Sequence, residues 1–422
     1  MYKLGIDVGG TNTDAVLIDE NRSVVADIKY PTSADIYDGI LGAMRTVLDK
    51  SGVDPKQINQ AMLGTTQCTN AIVERKNLAP IGILRIGAPA STGIRPMVDW
   101  ADDIRRIAAG SVIIGGGFEY DGKELAPFDR EEAEKFFTDM KEKGVKSIAV
   151  SCVFSTVRND HELGAARLCR QVMGDDVHVS ISSEIGSMGL IERENATILN
   201  AALWQVAERF TDGFAKSLQD EGITNADVYL SQNDGTLMTM EHARRYPILT
   251  VACGPTNSIR GASYLSNLKN AIVVDVGGTT TDLGVIQNGF PRESSVAVTI
   301  GGVRTNFRMP DVISIGLGGG SIILPETISG AASVLKPEHF GCANAIGSAI
   351  SKVSGTYEKL MNYDELPREQ SLEKAKHEAI ELAVAAGAVR ETVEIIEMED
   401  VPLAYYPGNT NRVKIKAAGD LS

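Results

Sequence analysis

The octapeptide DVGGTNTD at residues 7–14 returns almost unchanged as DVGGTTTD at residues 275–282, with Asn12 against Thr280 the single difference. The flanks repeat as well: KLGI (3–6) and AIVV (271–274) lead in, AVLID (15–19) and LGVIQNG (283–289) lead out. Each copy reads as strand, Gly-rich turn, strand, then a polar turn at Asp19–Asn21 or Asn288–Gly289. A Gly-Gly pair also suits a plain hairpin, since two-residue turns favour φ > 0. Turn geometry, however, requires neither the Asp before the glycines nor the Thr-x-Thr-Asp after them, and here both occur twice. Phosphate chemistry uses all of them. Glycines let backbone N–H groups approach an anion with no Cβ in the way. Thr11, Thr13, Thr279 and Thr281 add hydroxyl donors. Asp7 and Asp275, at strand ends, can hold Mg²⁺ directly or through water. Two such hairpins, one per domain, are expected to face each other across a cleft and clamp a polyphosphate. Neither hairpin is a GxxxxGK[ST] or GxGxxG turn opening a helix.

The rest of the composition agrees with a folded α/β chain. At 422 residues two domains are expected. Hydrophobic residues are 43%, charged residues 23% and aromatics 5%, and the 42 glycines suit many tight strand-to-helix turns. A net charge of −14 argues against nucleic-acid or anionic-membrane partners. Cys68, Cys152, Cys169, Cys253 and Cys342 are scattered, with no CxxC pair, which suggests neither zinc nor disulfides but reduced thiols in a cytoplasmic protein. The opening MYKLGIDVGG enters a strand at once and leaves no room for a signal peptide, and no apolar run reaches membrane-span length.

Along the chain, 34–50 reads as an amphipathic helix and AML (61–63) as a strand. GTTQCTNAIVERK (64–76) is a turn into a helix, where Thr65 and Thr66 either contact an anion or simply cap. Helix 129–144 carries a capping box from Asp129 and Glu132 and stops at Gly144. Strand 145–154, helix 161–174 and strand 177–182 continue a β/α alternation that implies a parallel or mixed sheet. Residues 192–222 read as one long helix opening the second half, 227–235 as a strand into a turn, and 252–265 as a turn into a helix. DVISIGLGGGSI (311–322) offers a loop that could lie against a nucleoside or serve a tight crossing. A small-residue helix (342–355), another helix (370–389) and a closing hairpin (401–421) complete the chain.

The two DxGGTxTD hairpins resemble the phosphate-1 and phosphate-2 elements of the actin, sugar-kinase and Hsp70 superfamily. With LGTTQCTNAIVERK (63–76), IERENATILNA (191–201), QNDGTLMT (232–239), SIGLGGGSI (314–322) and LKPEHFGCANAIGSAI (335–350), nearly the whole chain resembles the hydantoinase A/5-oxoprolinase family. The resemblance implies an α/β fold of two ribonuclease H-like, actin-type ATPase domains with mixed sheets and a central cleft, divided as 1–190 and a shortened 191–422. It implies an ATP- and Mg²⁺-using amidohydrolase: ATP phosphorylates the oxygen of a cyclic amide, and water attacks the activated carbon. By matching position, Gly9, Gly10, Thr11, Asn12 and Thr13, with Gly277, Gly278, Thr279, Thr280 and Thr281, hold the phosphates. Asp7 and Asp275 serve Mg²⁺ or the attacking group, with Asp14 and Asp282 as further catalytic candidates. Gly318, Gly319, Gly320 and Ser321 lie near the nucleoside, and Thr65 and Thr66 near substrate or γ-phosphate. A B-type subunit is the implied partner, and homo-oligomerisation stays open. The match departs at GPTNS (254–258), where the family has GPAGG. It departs again at 86–100, which turns the reading away from 5-oxoproline itself. GLGGGSI also runs directly into ILPETISG, as if two GGGS segments had been joined. The alternatives are a small-molecule kinase and a non-catalytic nucleotide-binding subunit.

Overall fold

The computed structural model describes residues 1–33, 35–277, 280–294, 298–307, 309–318, 332–404, 406 and 408–421. The chain opens with β1 (Tyr2–Val8), β2 (Asn12–Asp19), β3 (Val24–Pro31), α1 (Ile36–Ser51), β4 (Ile58–Thr65) and α2 (Gln67–Glu74). Alternation along β2 shows how this layer is filled. Ala15 and Leu17 face the main core with Ile40 and Met44 of α1, while Val16 and Ile18 face Ala345, Ile346 and Ala349 on the other side. Strand β2 is therefore buried on both faces. Helix α1 starts where Asp35 accepts the Tyr37 N–H at 2.9 Å and ends at Gly52, whose φ is +67°.

An inserted α/β layer follows: β5 (Ile81–Ala88), α3 (Asp102–Arg105), β6 (Ala108–Gly115), α4 (Arg130–Glu142), β7 (Ser147–Cys152), α5 (Asp160–Met173) and β8 (His178–Ile181). Its four strands are parallel, in the order β6-β5-β7-β8. Asp129 caps α4 by accepting the Glu132 N–H at 3.1 Å.

Next come α6 (Leu190–Ala202), α7 (Trp204–Asp220), β9 (Asp227–Ser231), β10 (Leu237–Thr239), α8 (Met240–Arg245) and α9 (Cys253–Ser266). The single helix expected over 192–222 is two, broken at Leu203, whose N–H bonds back to both Leu199 and Asn200. The two pieces have different partners. Helix α6 is buried nearly all round, whereas α7 is amphipathic and lies on α1. The polar run of α6 is satisfied internally: Glu194 accepts from Arg85 Nε at 2.7 Å and from Ser151 Oγ at 2.6 Å, tying the insert to the core.

The remaining strands are β11 (Ala271–Val276), β12 (Thr281–Gln287), β13 (Phe290–Pro291), β14 (Val298–Ile300), β15 (Val303–Thr305) and β16 (Val312–Ile315). Then follow α10 (Ala343–Ile350), β17 (Val353–Asn362), α11 (Arg368–Ala385), β18 (Glu394–Pro402) and β19 (Thr410–Gly419). The small-residue helix thus ends at Ile350, because Val353–Gly355 already pair with β19. The closing hairpin forms as antiparallel β18–β19.

The main sheet has nine strands, ordered β18-β19-β17-β10-β9-β4-β1-β2-β3, with β1, β4 and β9 parallel. It draws strands from both sides of residue 190, so among the described residues no sheet boundary falls there. The second octapeptide lies in a separate sheet of β11-β12-β13, with β16 paired to β12. Helices α9 and α10 cross in close contact. A Cβ on Gly261 would stand 1.8 Å from the Ala343 carbonyl oxygen, so only glycine permits this approach. Among the described residues no helix is long and apolar enough to cross a membrane. All five cysteines are buried and unpaired.

Candidate phosphate and carboxylate site

Both octapeptides fold as antiparallel hairpins. Asp7 stands opposite Asp14 in one, and Asp275 opposite Asp282 in the other. Each turn closes through the first glycine: Gly9 N–H donates to Asn12 O at 3.0 Å, and Gly277 N–H to Thr280 O at 2.8 Å. Gly10, Thr11, Gly277 and Thr280 are exposed, Gly9 and Asn12 half-buried, and Thr13 and Thr281 buried at the hairpin bases. Thr32 buttresses the first turn, donating its hydroxyl to Gly9 O at 3.0 Å. Gly278, Thr279, Gly319, Gly320 and Ser321 lie outside the described residues. Gly318 follows β16, which pairs with β12 so that Ser314 faces Asp282. Thr281 Oγ1 donates to Leu317 O, setting Gly318 beside the second hairpin.

Thr65 ends β4 directly across from Val8. Its hydroxyl accepts the Gln67 N–H at 3.2 Å, whereas Thr66, at the N-cap position of α2, makes no side-chain cap bond. Thr66 instead donates its N–H to Val8 O at 3.2 Å and its hydroxyl to the same oxygen at 3.3 Å. Both threonines thus sit at the base of the first hairpin.

What joins the hairpins is one turn of α9. Asn257 Nδ2 donates to Asp7 Oδ1 at 3.1 Å, and the next residue, Ser258, donates its hydroxyl to Asp275 Oδ2 at 2.6 Å. Asn344, near the start of α10, donates to the other Asp7 oxygen at 3.0 Å. Lys29 of β3 donates to both oxygens of Asp14, at 3.1 and 3.0 Å. None of these four partners was singled out from sequence. GPTNS and ANAIG were visible as motifs, but which side chain reached which carboxylate was not. Lys29 follows from the register that sets it opposite Asp14.

The carboxylates are electrostatically uncomfortable. Burial lifts the Asp7 carboxyl to about 6, with the Asp14 and Asp275 charges adding to it and the two asparagine amides opposing. Burial raises Asp14 despite Lys29, and raises Asp282 with help from Asp275. Among the described residues Lys29 is the one base bonded to any of the four. No cluster of three or more metal-ligating side chains occurs there either. That donor set fits Mg²⁺ as it travels with polyphosphate, held by one or two carboxylates with phosphate oxygens and water completing the shell.

The hydantoinase/oxoprolinase N-terminal region model matches residues 3–173, and the hydantoinase/oxoprolinase model matches residues 193–348. The caprolactamase subunit alpha of Pseudomonas jessenii is 26% identical over 347 residues, covering 76% of this chain and 48% of that protein. The acetophenone carboxylase gamma subunit of Aromatoleum aromaticum is 25% identical over 350 residues, covering 76% and 47%. This chain therefore spans about half the length of the curated relatives it matches. The crystal structure of the ATP-dependent caprolactamase from Pseudomonas jessenii superposes with a TM-score of 0.75 at 15% identity, over 100% of this chain and 88% of that one. The chain thus shares the mixed α/β fold of that structure and belongs to the hydantoinase/oxoprolinase family.

Proposed function

We propose that this chain is the nucleotide-binding part of an ATP-dependent amidohydrolase that opens a cyclic amide. The observation that carries the reading is the α9 turn, whose Asn257 and Ser258 hold Asp7 and Asp275 of the two GGT hairpins to one helix. Gly9–Thr13 and Gly277–Thr281 are proposed to cradle the phosphates with N–H and hydroxyl donors. Asp7 and Asp275 would hold Mg²⁺ or orient the attacking group, with Asp14 and Asp282 behind them. Thr65 and Thr66 would stand near the γ-phosphate, and Gly318 with residues 319–321 near the nucleoside. Bound Mg·ATP supplies an electrophilic phosphoryl group. The amide oxygen would take that group with release of ADP, one water would add to the carbonyl carbon, the ring C–N bond would break with nitrogen leaving as the amine, and a second water would release phosphate from the acyl phosphate that remains. The products are the ring-opened amino acid, ADP and phosphate. The chain's own contribution is positioning and charge neutralisation. The division into two gripping halves, and a B-type partner subunit, belong to the same proposal. Relatives named as alpha and gamma subunits support the partner.

The test is calorimetric titration of Mg·ATP into wild type and Asp7→Ala, followed by phosphate release with and without lactams or hydantoins. Saturable binding lost in the variant, with amide-dependent release, is expected. Failure of wild type to bind Mg·ATP overturns the reading in favour of a non-catalytic subunit, and release upon addition of a hydroxyl compound instead of an amide favours a kinase. The near-equal identity to a carboxylase gamma subunit makes a carboxylase component the second reading.

A further inference from the structure

A cavity of about 630 Å³ opens between the 183–188 turn, β10, β17 and β19. Its near wall is Gln232–Asp234, which directly follows β9. Strands β9, β4 and β1 are parallel neighbours, so this wall lies two strand spacings, about 10 Å, along the same carboxyl edge as Asp7. Ligands of α/β sheets collect outside such edges. Helix α9 connects the two places: Thr256 donates to Asn233 O at 3.0 Å, and the next residue is Asn257 on Asp7.

The cavity's buried bases are already paired, and among the described residues only the exposed Lys359, of the lysines and arginines on its wall, has no carboxylate partner, a charge that water screens. Lys416 is 3% exposed and lies 2.7 Å from both Asp234 and Glu293. Lys414, 1% exposed, lies 2.7 Å from Glu397 and 3.2 Å from Glu293. Arg412 is held at 2.8 Å by Glu399. A ligand carboxylate entering past Lys359 meets buried bases whose carboxylates are in place, and it has to be desolvated against Glu293 and Asp234. A neutral ligand meets no such penalty. Two polar atoms just under the cavity surface, Ser183 Oγ and Asn306 Oδ1, have no partner among the described residues. Rotation of the Ser183 side chain would offer its hydroxyl to the C=O of an amide, while Asn306 is held in place, its Nδ2 donating to Ser187 O at 3.1 Å and Met188 O at 2.7 Å.

We infer that this cavity is the amide site, and that it selects a neutral lactam over one carrying a carboxylate. The inference rests on the amidohydrolase reading but concerns a different place in the fold. Its test uses a matched pair, 2-pyrrolidone and 5-oxoproline, the same ring without and with a carboxylate. Binding is followed by calorimetry on the full chain, with and without a non-hydrolysable Mg·ATP analogue. Wild type is expected to bind 2-pyrrolidone at least about tenfold tighter. Glu293→Gln leaves Lys414 with Glu397 and Lys416 with Asp234, and it should shrink or reverse that ratio by adding one positive charge to the cavity. Thr356→Trp, at an exposed position on the cavity wall, should abolish lactam binding. Tighter binding of 5-oxoproline by wild type, no lactam binding in either nucleotide state, or lactam binding indifferent to both variants overturns the inference. Lactam-stimulated phosphate release that survives Thr356→Trp would sink the cavity and leave the proposed function standing. Lactam binding without any nucleotide turnover would do the reverse.

Discussion

Asp7→Asn should make this protein more stable while abolishing its use of nucleotide. Asp7 is 2% exposed, and burial lifts its carboxyl from 3.8 to about 6. The folded-state value is raised, so ionisation is harder in the folded protein than in the unfolded chain. Stability from this group is full below 3.8 and is lost as pH climbs through 6. At about 1.4 kcal/mol per pH unit the loss amounts to about 3 kcal/mol at pH 8 and about 1 kcal/mol at pH 4.5. Asparagine has nothing to ionise. It does bring an amide N–H₂ toward a neighbouring amide donor, but Asn257 Oδ1 is buried without a partner, so turning the Asn257 amide over provides the acceptor. The assay is urea denaturation of wild type and variant at pH 8 and pH 4.5. A gain approaching about 3 kcal/mol at the higher pH, and about 1 kcal/mol at the lower, is expected. Calorimetry at pH 8 should show Mg·ATP binding by wild type alone. In wild type that affinity should weaken about tenfold per pH unit below about 6, since the protonated carboxyl no longer serves the metal. A variant less stable than wild type at pH 8, or a gain equal at both pH values, would refute the argument and make Asp7 a structural carboxylate content with its two amides.

Asp275→Ala should collapse ATP turnover while the melting temperature barely moves, because Asp275 is half-buried and loses a single bond to Ser258. Unchanged turnover removes Asp275 from the site. Gly261→Ala forces α9 off α10 and should cost about 1–3 kcal/mol in denaturation while weakening Mg·ATP binding, since Asn257 and Ser258 ride on the same helix. Stability loss with unaltered nucleotide affinity would break that link. Glu194→Ala strands the buried Arg85 and should cost about 3–5 kcal/mol; a cost under about 1 kcal/mol would mean water reaches the pair.

What could be read from the residues alone is what depends on near neighbours. Glycine's tolerance of close approach, the Asp-to-Asp spacing across a tight turn and the period of the strands decide that DVGGTNTD and DVGGTTTD become hairpins with facing aspartates, before any long-range packing. Asp129 defines the start of α4 for the same reason, although the capping box is only half formed, since the Asp129 N–H donates to Gly115 O at 3.0 Å and not to Glu132. The break at Leu203 was hidden, because both sides are good helix and only their different packing partners separate them. The course of the main sheet past residue 190 was hidden too, since strand order is a matter of pairing between distant segments. The site itself is closed by contacts of this second kind. Asn257 reaches Asp7 across 250 residues of chain, and Asn344 reaches it across 337. No periodicity carries information over that span. The sequence by itself determined two glycine-turn hairpins with facing carboxylates. The tertiary structure alone decided that one turn of α9 would hold them together, because burial of α9 and α10 against each other and the sheet places those side chains where local conformation cannot.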